Sequence, residues 1–236
     1  GAGTSGRLGV LDASEAPPTF CVEPGKVVGI IAGGDASLRR PSEGREDEWE
    51  GAKDALGALG LTARDAVLGI AAGGTTPYVL GALRLCKAMA SPPVTGLLSC
   101  APVPVPEGCD HLIVAATGPE VLTGSTRMKA GTATKLVLNT ISTTLMVRSG
   151  RVYENLMVDV MATNAKLRDR GARVISTLTG LPRGEALALL ERAGSVKVAV
   201  VMRRCGVTRD AAEGLLGEAG GVLGKVLGPG AQNLPG

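Results

Sequence analysis

Four short apolar runs, at residues 26–32, 65–72, 94–99 and 112–116, are each closed by glycine, proline or small polar residues. Continuous rather than alternating hydrophobicity predicts strands buried on both faces, as in a parallel sheet. Helical spacing fills the intervals. A first helix follows the turn Gly1-Ala-Gly-Thr-Ser-Gly6 and is expected to stop at Ala16-Pro17-Pro18. A second opens at Pro41, with Ser42 as candidate N-cap, and runs through Trp49, Leu56 and Leu59. A third starts at Pro77, where a missing N–H does no harm, and carries Leu80 and Leu83.

Beyond the last strand, Leu138, Ile141 and Leu145 repeat at helical spacing and predict the buried stripe of a long helix. After Gly150 a second long helix is expected over 153–170, with Leu156, Met157, Val160 and Met161 on one face and Asn164 at its end. From Leu181 the pattern shortens to three amphipathic segments, divided at Gly194-Ser195 and Cys205-Gly206, with Thr208 as N-cap of the third. The reading is an α/β fold, a parallel sheet flanked by helices in three layers over residues 1–178. A small three-helix unit over 179–227 and a disordered tail over 228–236 complete it.

Composition narrows the function. With one Phe, one Trp and two Tyr against 35 Gly, the core must be aliphatic, with helices packed closely through small side chains. A net charge of +3 on dispersed basic residues, with almost no aromatics to stack on bases, argues against nucleic acid. Five cysteines, odd in number and without a CxxC pair, fit reduced thiols in a cytoplasmic protein. His111 is the single histidine, which excludes a His-rich metal centre, and it is read as structural. No apolar run reaches the length of a membrane span. The chain opens without Met, in the middle of what should be a βα unit, and is expected to be a fragment.

Three glycine- and hydroxyl-rich stretches meet helix starts: Thr4-Ser5 within the opening turn, Gly73-Gly-Thr-Thr-Pro-Tyr78, and Ser125-Thr126 ahead of the long helix. Helix N-termini carry partial positive charge and unpaired donors, so such turns suit a phosphate, although each can equally be a simple cap. Their repetition favours the phosphate. Arg127 and Lys129 oppose the dipole of the helix they open, a mismatch relieved by a nearby anion. Two acid-bearing stretches stand close to these turns in the expected topology, Glu15 after the first and Glu43 with Glu46 in the second helix. The latter pair also fits a solvated, dipole-matched helix start. Ligands of open α/β sheets lie at the carboxyl ends of the strands, where all of these turns fall.

Several blocks then resemble a known family: Gly1-Ala-Gly-Thr-Ser-Gly-Arg7 with Leu11-Asp-Ala-Ser-Glu-Ala-Pro-Pro-Thr19, Ala32-Gly-Gly-Asp35, and Glu43-Gly-Arg-Glu-Asp47. Others are Gly118-Pro-Glu-Val-Leu-Thr-Gly-Ser-Thr-Arg-Met-Lys-Ala-Gly-Thr132, Asn155-Leu-Met-Val-Asp159 and Ala162-Thr-Asn-Ala-Lys-Leu167. Together they look like the N-acetylmuramic acid 6-phosphate etherases, sugar isomerase (SIS) domain proteins related to the glucokinase regulatory protein. The resemblance runs in order from residue 1 to about 175 and is looser beyond. It implies a SIS-type fold and a lyase, without cofactor or metal, that cleaves the D-lactyl ether of N-acetylmuramic acid 6-phosphate. The expected partners are a small sugar phosphate and a second copy of the chain, with no nucleic acid and no membrane.

By the same resemblance Glu15 is the proton donor and Glu46 the second catalytic carboxylate, most naturally the base. Thr4, Ser5, Gly6, Arg7, Gly73, Gly74, Thr75, Glu120, Ser125, Thr126 and Lys129 are expected around the phosphate and sugar. Glu43, Asn164 and Lys166 are expected near the sugar, the last two across a dimer interface. Gly73 and Thr75 stand where the family usually has Ser and Arg, which leaves Thr75 and backbone N–H groups to make that contact. The alternative is a non-catalytic phosphosugar-binding regulator. By the resemblance, the intact Asp12-Ala-Ser-Glu15 block favours the enzyme, since the regulatory branch is not expected to keep that carboxylate.

Overall fold

The computed structural model describes residues 1–41, 43–160 and 164–228, apart from the Glu43 side chain. They form two compact units, Gly1–Ser14 with Val27–Ile141, and Glu15–Lys26 with the described residues from Ser142 onward. The expected boundary after residue 178 falls inside the second unit.

The first unit is built on a parallel sheet in the order β1 (Ala66–Ile70), β2 (Val94–Ser99), β3 (His111–Val114). Its register pairs Ala66 with Val94 and Gly96 with His111. One face packs on α2 (Lys53–Gly57) and α3 (Pro77–Lys87) through Leu56, Val79, Leu83 and Leu97. The other meets α1 (Gly3–Phe20) and α4 (Lys129–Arg148) through Leu8, Ile70, Leu98 and Leu138. The expected three layers are therefore present, with the strand runs at 65–72, 94–99 and 112–116 in place.

Several expectations are corrected. Residues 28–31 form no strand. Their main chain meets Gly1, whose amine donates to Ile30 O and whose carbonyl accepts from Ala32 N, each at 3.0 Å. Pro17 and Pro18 do not end α1, which continues to Phe20. They sit in its last turns, and Cys21 N still donates to Pro17 O at 2.9 Å. No single helix runs from Pro41 through Leu59; a 3₁₀ turn at Glu43–Arg45, further turns and the short α2 take its place. The candidate cap Ser42 lies outside the described residues.

Within α4, Leu138 is buried as expected, but Leu145 is 55 % exposed and not core.

The second unit replaces the long helix expected at 153–170 by a hairpin and a shorter helix. Strands β4 (Val152–Tyr153) and β5 (Leu156–Met157) pair antiparallel, and Glu154 takes φ 55° in the two-residue turn between them. That left-handed residue breaks the helical path without a glycine to announce it. Helix α5 (Ala165–Thr179) starts only after Asn164.

Among the described residues four helices follow rather than three: α6 (Arg183–Ala193), α7 (Val196–Cys205), α8 (Arg209–Glu218) and α9 (Leu223–Leu227). Ser195 and Thr208 accept from Val198 N and Ala211 N as N-caps, while Gly194 and Gly206 close the preceding helices in the left-handed region. Ile175, Leu190, Val196, Val200 and Val201 form the core. Inside it Lys197, 8 % exposed, donates to Asp159 Oδ2 at 2.6 Å and to Gly221 O at 2.7 Å. The expected tail falls outside the described residues beyond Gly228. No helix among the described residues is long and apolar enough to cross a membrane.

Candidate active site

The opening turn is shaped by two glycines. Gly3 has φ 49°, and a Cβ on Gly6 would stand 2.6 Å from both Gly1 O and Ile31 Cγ1. Only glycine lets α1 start this close to the neighbouring backbone. Thr4 and Ser5, both partly buried, lie in its first turn. Arg7 turns aside, and its Nε donates to Leu38 O at 3.2 Å, tying α1 to the 3₁₀ turn Asp35–Leu38.

Glu46 comes to the same place from another part of the chain. A Cβ on Gly3 would lie 3.2 Å from Glu46 Oε1, so the carboxylate stands beside the start of α1. Its main chain is held by α3, where Tyr78 N donates to Glu46 O at 2.9 Å. The second glycine turn thereby serves differently from the first. Gly74, at φ 72°, fits beneath Val103 and 3.0 Å from Ser99 Oγ where a Cβ would project. The first donors of α3 are engaged, Tyr78 N by Glu46 O and Val79 N by Thr76 O at 3.0 Å. Gly73 and Thr75 are exposed beside them.

The third stretch reaches α1 through Gly131, where a Cβ would meet Thr4 Cγ2 at 3.4 Å and Thr126 O at 3.6 Å. Thr4, Leu8, Arg127, Gly131 and Lys135 border a cavity of about 360 Å³ there. Lys135 is paired with Asp12 at 2.9 Å. Ser125 is partly buried and Thr126 exposed. The first unit thus gathers Thr4, Ser5, Glu46 and the 125–131 segment around the start of α1.

Glu120 has a structural occupation. Its two carboxylate oxygens accept from Ala130 N at 2.9 Å and Lys129 N at 3.0 Å, capping α4 from nine and ten residues upstream. The Ala130 and Lys129 N–H bonds, with the Lys129 charge, hold its carboxyl below the usual range despite desolvation. The anion that relieves the basic start of α4 is this side chain. Lys129 Nζ donates to Thr117 O at 2.9 Å.

The remaining expected residues belong to the second unit or lie beyond description. Glu15 is exposed on α1. Asn164 is the N-cap of α5, its Oδ1 accepting from Leu167 N at 2.9 Å, and Lys166 is exposed in the first turn. The Glu43 side chain is outside the described residues. His111 stands exposed at the start of β3. Among the described residues no group of three or more His, Cys, Asp or Glu is placed to hold a metal ion.

Sequence reasoning missed the hold of Tyr78 N on Glu46 O, since a main-chain contact leaves no side-chain signature. Glu120 had a signal, the dipole mismatch at Lys129, that pointed to an anion without naming it.

Comparison with known proteins agrees with the motifs. The glucokinase regulatory protein N-terminal SIS domain family matches residues 1–87. A protein of Gloeobacter violaceus named N-acetylmuramic acid 6-phosphate etherase is 55% identical over 225 residues, 92% of this chain and 73% of the relative. Proteins of the same name from a Synechococcus species (54% over 215 residues, 90% and 67%) and from Cronobacter sakazakii (51% over 231 residues, 97% and 77%) match similarly.

Proposed function

Since the chain belongs to the N-acetylmuramic acid 6-phosphate etherase family, we infer that it is a carbon–oxygen lyase that converts N-acetylmuramic acid 6-phosphate to N-acetylglucosamine 6-phosphate and D-lactate. The observation that carries the site assignment is the Glu46 carboxylate beside Gly3 at the start of α1, the turn that also carries Thr4 and Ser5.

In the ring-opened sugar, Glu46 takes the proton from the carbon next to the aldehyde. The electron pair forms a carbon–carbon double bond and expels the lactyl ether oxygen, which Glu15 protonates. Water then adds in reverse. Glu15 takes a proton as the hydroxyl joins the carbon that lost lactate, and Glu46 returns its proton to the neighbouring carbon. Both carboxyls end as they began.

The start of α1 favours an anion, so the phosphate is assigned to Thr4, Ser5, Gly6, Ser125 and Thr126, with Thr75 beside them. Arg7 and Glu120 shape the cradle, Arg7 through its Nε bond to Leu38 O and Glu120 through its hold on the start of α4, and the remaining Arg7 N–H groups are assigned to the sugar phosphate. Glu43, Asn164 and Lys166 are assigned to the sugar, the last two from a second copy of the chain. The reaction belongs to cytoplasmic cell-wall sugar recycling. A purely regulatory role is not favoured, since the regulatory-protein match covers residues 1–87 whereas the etherase relatives match nearly the whole chain.

D-lactate release from N-acetylmuramic acid 6-phosphate tests this reading. The protein is expected to release it, and Glu15→Gln and Glu46→Gln to lose about 10²–10⁴-fold in kcat while still binding the sugar phosphate. Full activity in either variant removes that residue from the mechanism. Tight binding without lactate release by the unaltered protein makes it a regulator instead.

A further inference from the structure

The Glu46 side chain can serve as a base only if the segment carrying it is held still, and that segment has little structure of its own. Residues 46–52 are turns between a 3₁₀ turn and the five-residue α2. What fixes them is one face of α3. At its start Tyr78 N donates to Glu46 O at 2.9 Å. One turn on, a Cβ placed on Gly81 would stand 1.8 Å from Trp49 O and 2.7 Å from Trp49 C, so the loop backbone lies directly on the helix. A further turn on, the Arg84 guanidinium carbon sits 4.7 Å from the centre of the Trp49 ring. Arg84 is itself oriented by Glu107 at 3.1 Å. Gly51 completes the contact, since a Cβ there would meet Tyr78 Cδ2 at 2.9 Å. Beyond it Ala52 and Leu56 are buried with Tyr78, Val79 and Leu83.

We propose that Trp49, Gly81 and Arg84 form a clasp that positions Glu46 for proton abstraction, an inference that rests on the lyase reading above. None of the three is a catalytic residue; each acts through the Glu46 backbone. The arrangement has a physical logic. A tryptophan left 43 % exposed on a polar loop gains little from burial, and a cation over its face gives it a fixed seat. The glycine allows a carbonyl-to-helix approach that any side chain would block. The Glu46 carbonyl, by satisfying a free donor of α3, fixes the residue by its main chain and leaves its carboxylate available. The main-chain anchor also explains how a turn segment holds a base to the sub-ångström tolerance that proton transfer needs.

The test compares Gly81→Ala, Trp49→Ala, Trp49→Phe and Arg84→Gln with the unaltered protein, using N-acetylmuramic acid 6-phosphate with hydrogen or deuterium on the carbon next to the aldehyde. Gly81→Ala and Trp49→Ala are expected to lower kcat about 10- to 100-fold with KM changed less than about twofold, and to raise the deuterium isotope effect on kcat. Trp49→Phe, which keeps a ring under Arg84, is expected to restore most of the rate, and Arg84→Gln to fall between. A loss expressed only in KM, an unchanged isotope effect, or wild-type kcat in Trp49→Ala overturns the clasp. Trp49 is partly exposed, so its variants report even if Gly81→Ala does not fold. No lactate release by the unaltered protein instead defeats the lyase reading, and the clasp's catalytic role with it.

Discussion

Glu46 Oε1 lies 3.2 Å from the point where a Cβ on Gly3 would be, and Gly3 holds the left-handed φ of 49°. The glycine therefore serves twice, as the residue that lets α1 begin and as the floor under the carboxylate. A side chain at this position strains the backbone and presses the Glu46 carboxylate away from the helix start. Gly3→Ala is expected to cost about 1 kcal/mol of stability from the left-handed φ alone. It is also expected to lower kcat for lactate release about 10-fold through displacement of Glu46. Thermal melts and steady-state kinetics on the same preparation separate the two effects. Unchanged kcat in a folded Gly3→Ala protein shows that the carboxylate does not work from this position.

Glu120 caps α4 with both oxygens, and the loop it closes carries Ser125 and Thr126. Glu120→Ala frees the Lys129 and Ala130 N–H groups and is expected to lower the melting temperature by a few degrees. It should also raise KM for the sugar phosphate more than it lowers kcat, because the hydroxyls lose their fixed seat. The pH sign follows from the direction of the shift. The folded carboxyl titrates below its ordinary 4.5, so its contribution is complete above that value and fades as pH falls below it. Glu120→Gln keeps an acceptor for one N–H and is expected to melt between the other two, with a flatter acid limb. A KM unaffected by Glu120→Ala detaches this loop from phosphate binding.

Asp110 gives the second acid-sensitive point, away from the site. Its Oδ2 accepts from Lys87 Nζ at 2.6 Å and from Thr95 N at 2.8 Å, joining α3 to the start of β2. The Lys87 bond, then the Thr95 N–H, bring its carboxyl down from 3.8 to about 2. A folded value below the unfolded one favours the charged form. The contribution is therefore whole above 3.8 and lost as pH falls through about 2. Asp110→Asn is expected to melt lower than the parent at neutral pH and to converge with it near the acid end of that window. Melting curves that stay parallel over the whole range contradict the assignment.

Legibility in the sequence followed how local the cause was. The runs 65–72, 94–99 and 112–116 became strands because each is apolar on both faces and finds parallel neighbours. The run at 26–32 has the same chemistry, but residues 28–31 meet Gly1 through Ile30 O and Ala32 N without forming a strand, so composition alone misassigned it. Asn164 looked like the end of a stripe and is a cap, since a left-handed Glu154 had already ended the helical path upstream. At the site, the glycine and hydroxyl turns were legible because only small residues admit such close approaches. The link from Tyr78 N to Glu46 O was not, because it joins main-chain atoms 32 residues apart and constrains neither side chain.

The second unit offers a stability test independent of catalysis. Lys197 and Asp159 meet at 2.6 Å with side chains 11 % and 18 % exposed, and Arg151 approaches the same Asp159 oxygen at 3.4 Å. Desolvating both charges consumes much of their attraction, so the pair matters more through what its loss leaves behind than through its net worth. Asp159→Leu leaves the Lys197 ammonium in the α7 core with Gly221 O as its remaining acceptor among the described residues, and is expected to cost about 3–5 kcal/mol. Lys197→Met is expected to cost less, because Asp159 retains Arg151 at its more open side. Adding Lys197→Met to Asp159→Leu removes the stranded charge and should recover most of the loss, giving a coupling larger than an exposed pair such as Arg209–Glu213 provides. Urea unfolding followed by far-ultraviolet circular dichroism measures all four corners of the cycle. Additive losses mean that the two residues stabilise the fold separately and that no buried charge is left behind.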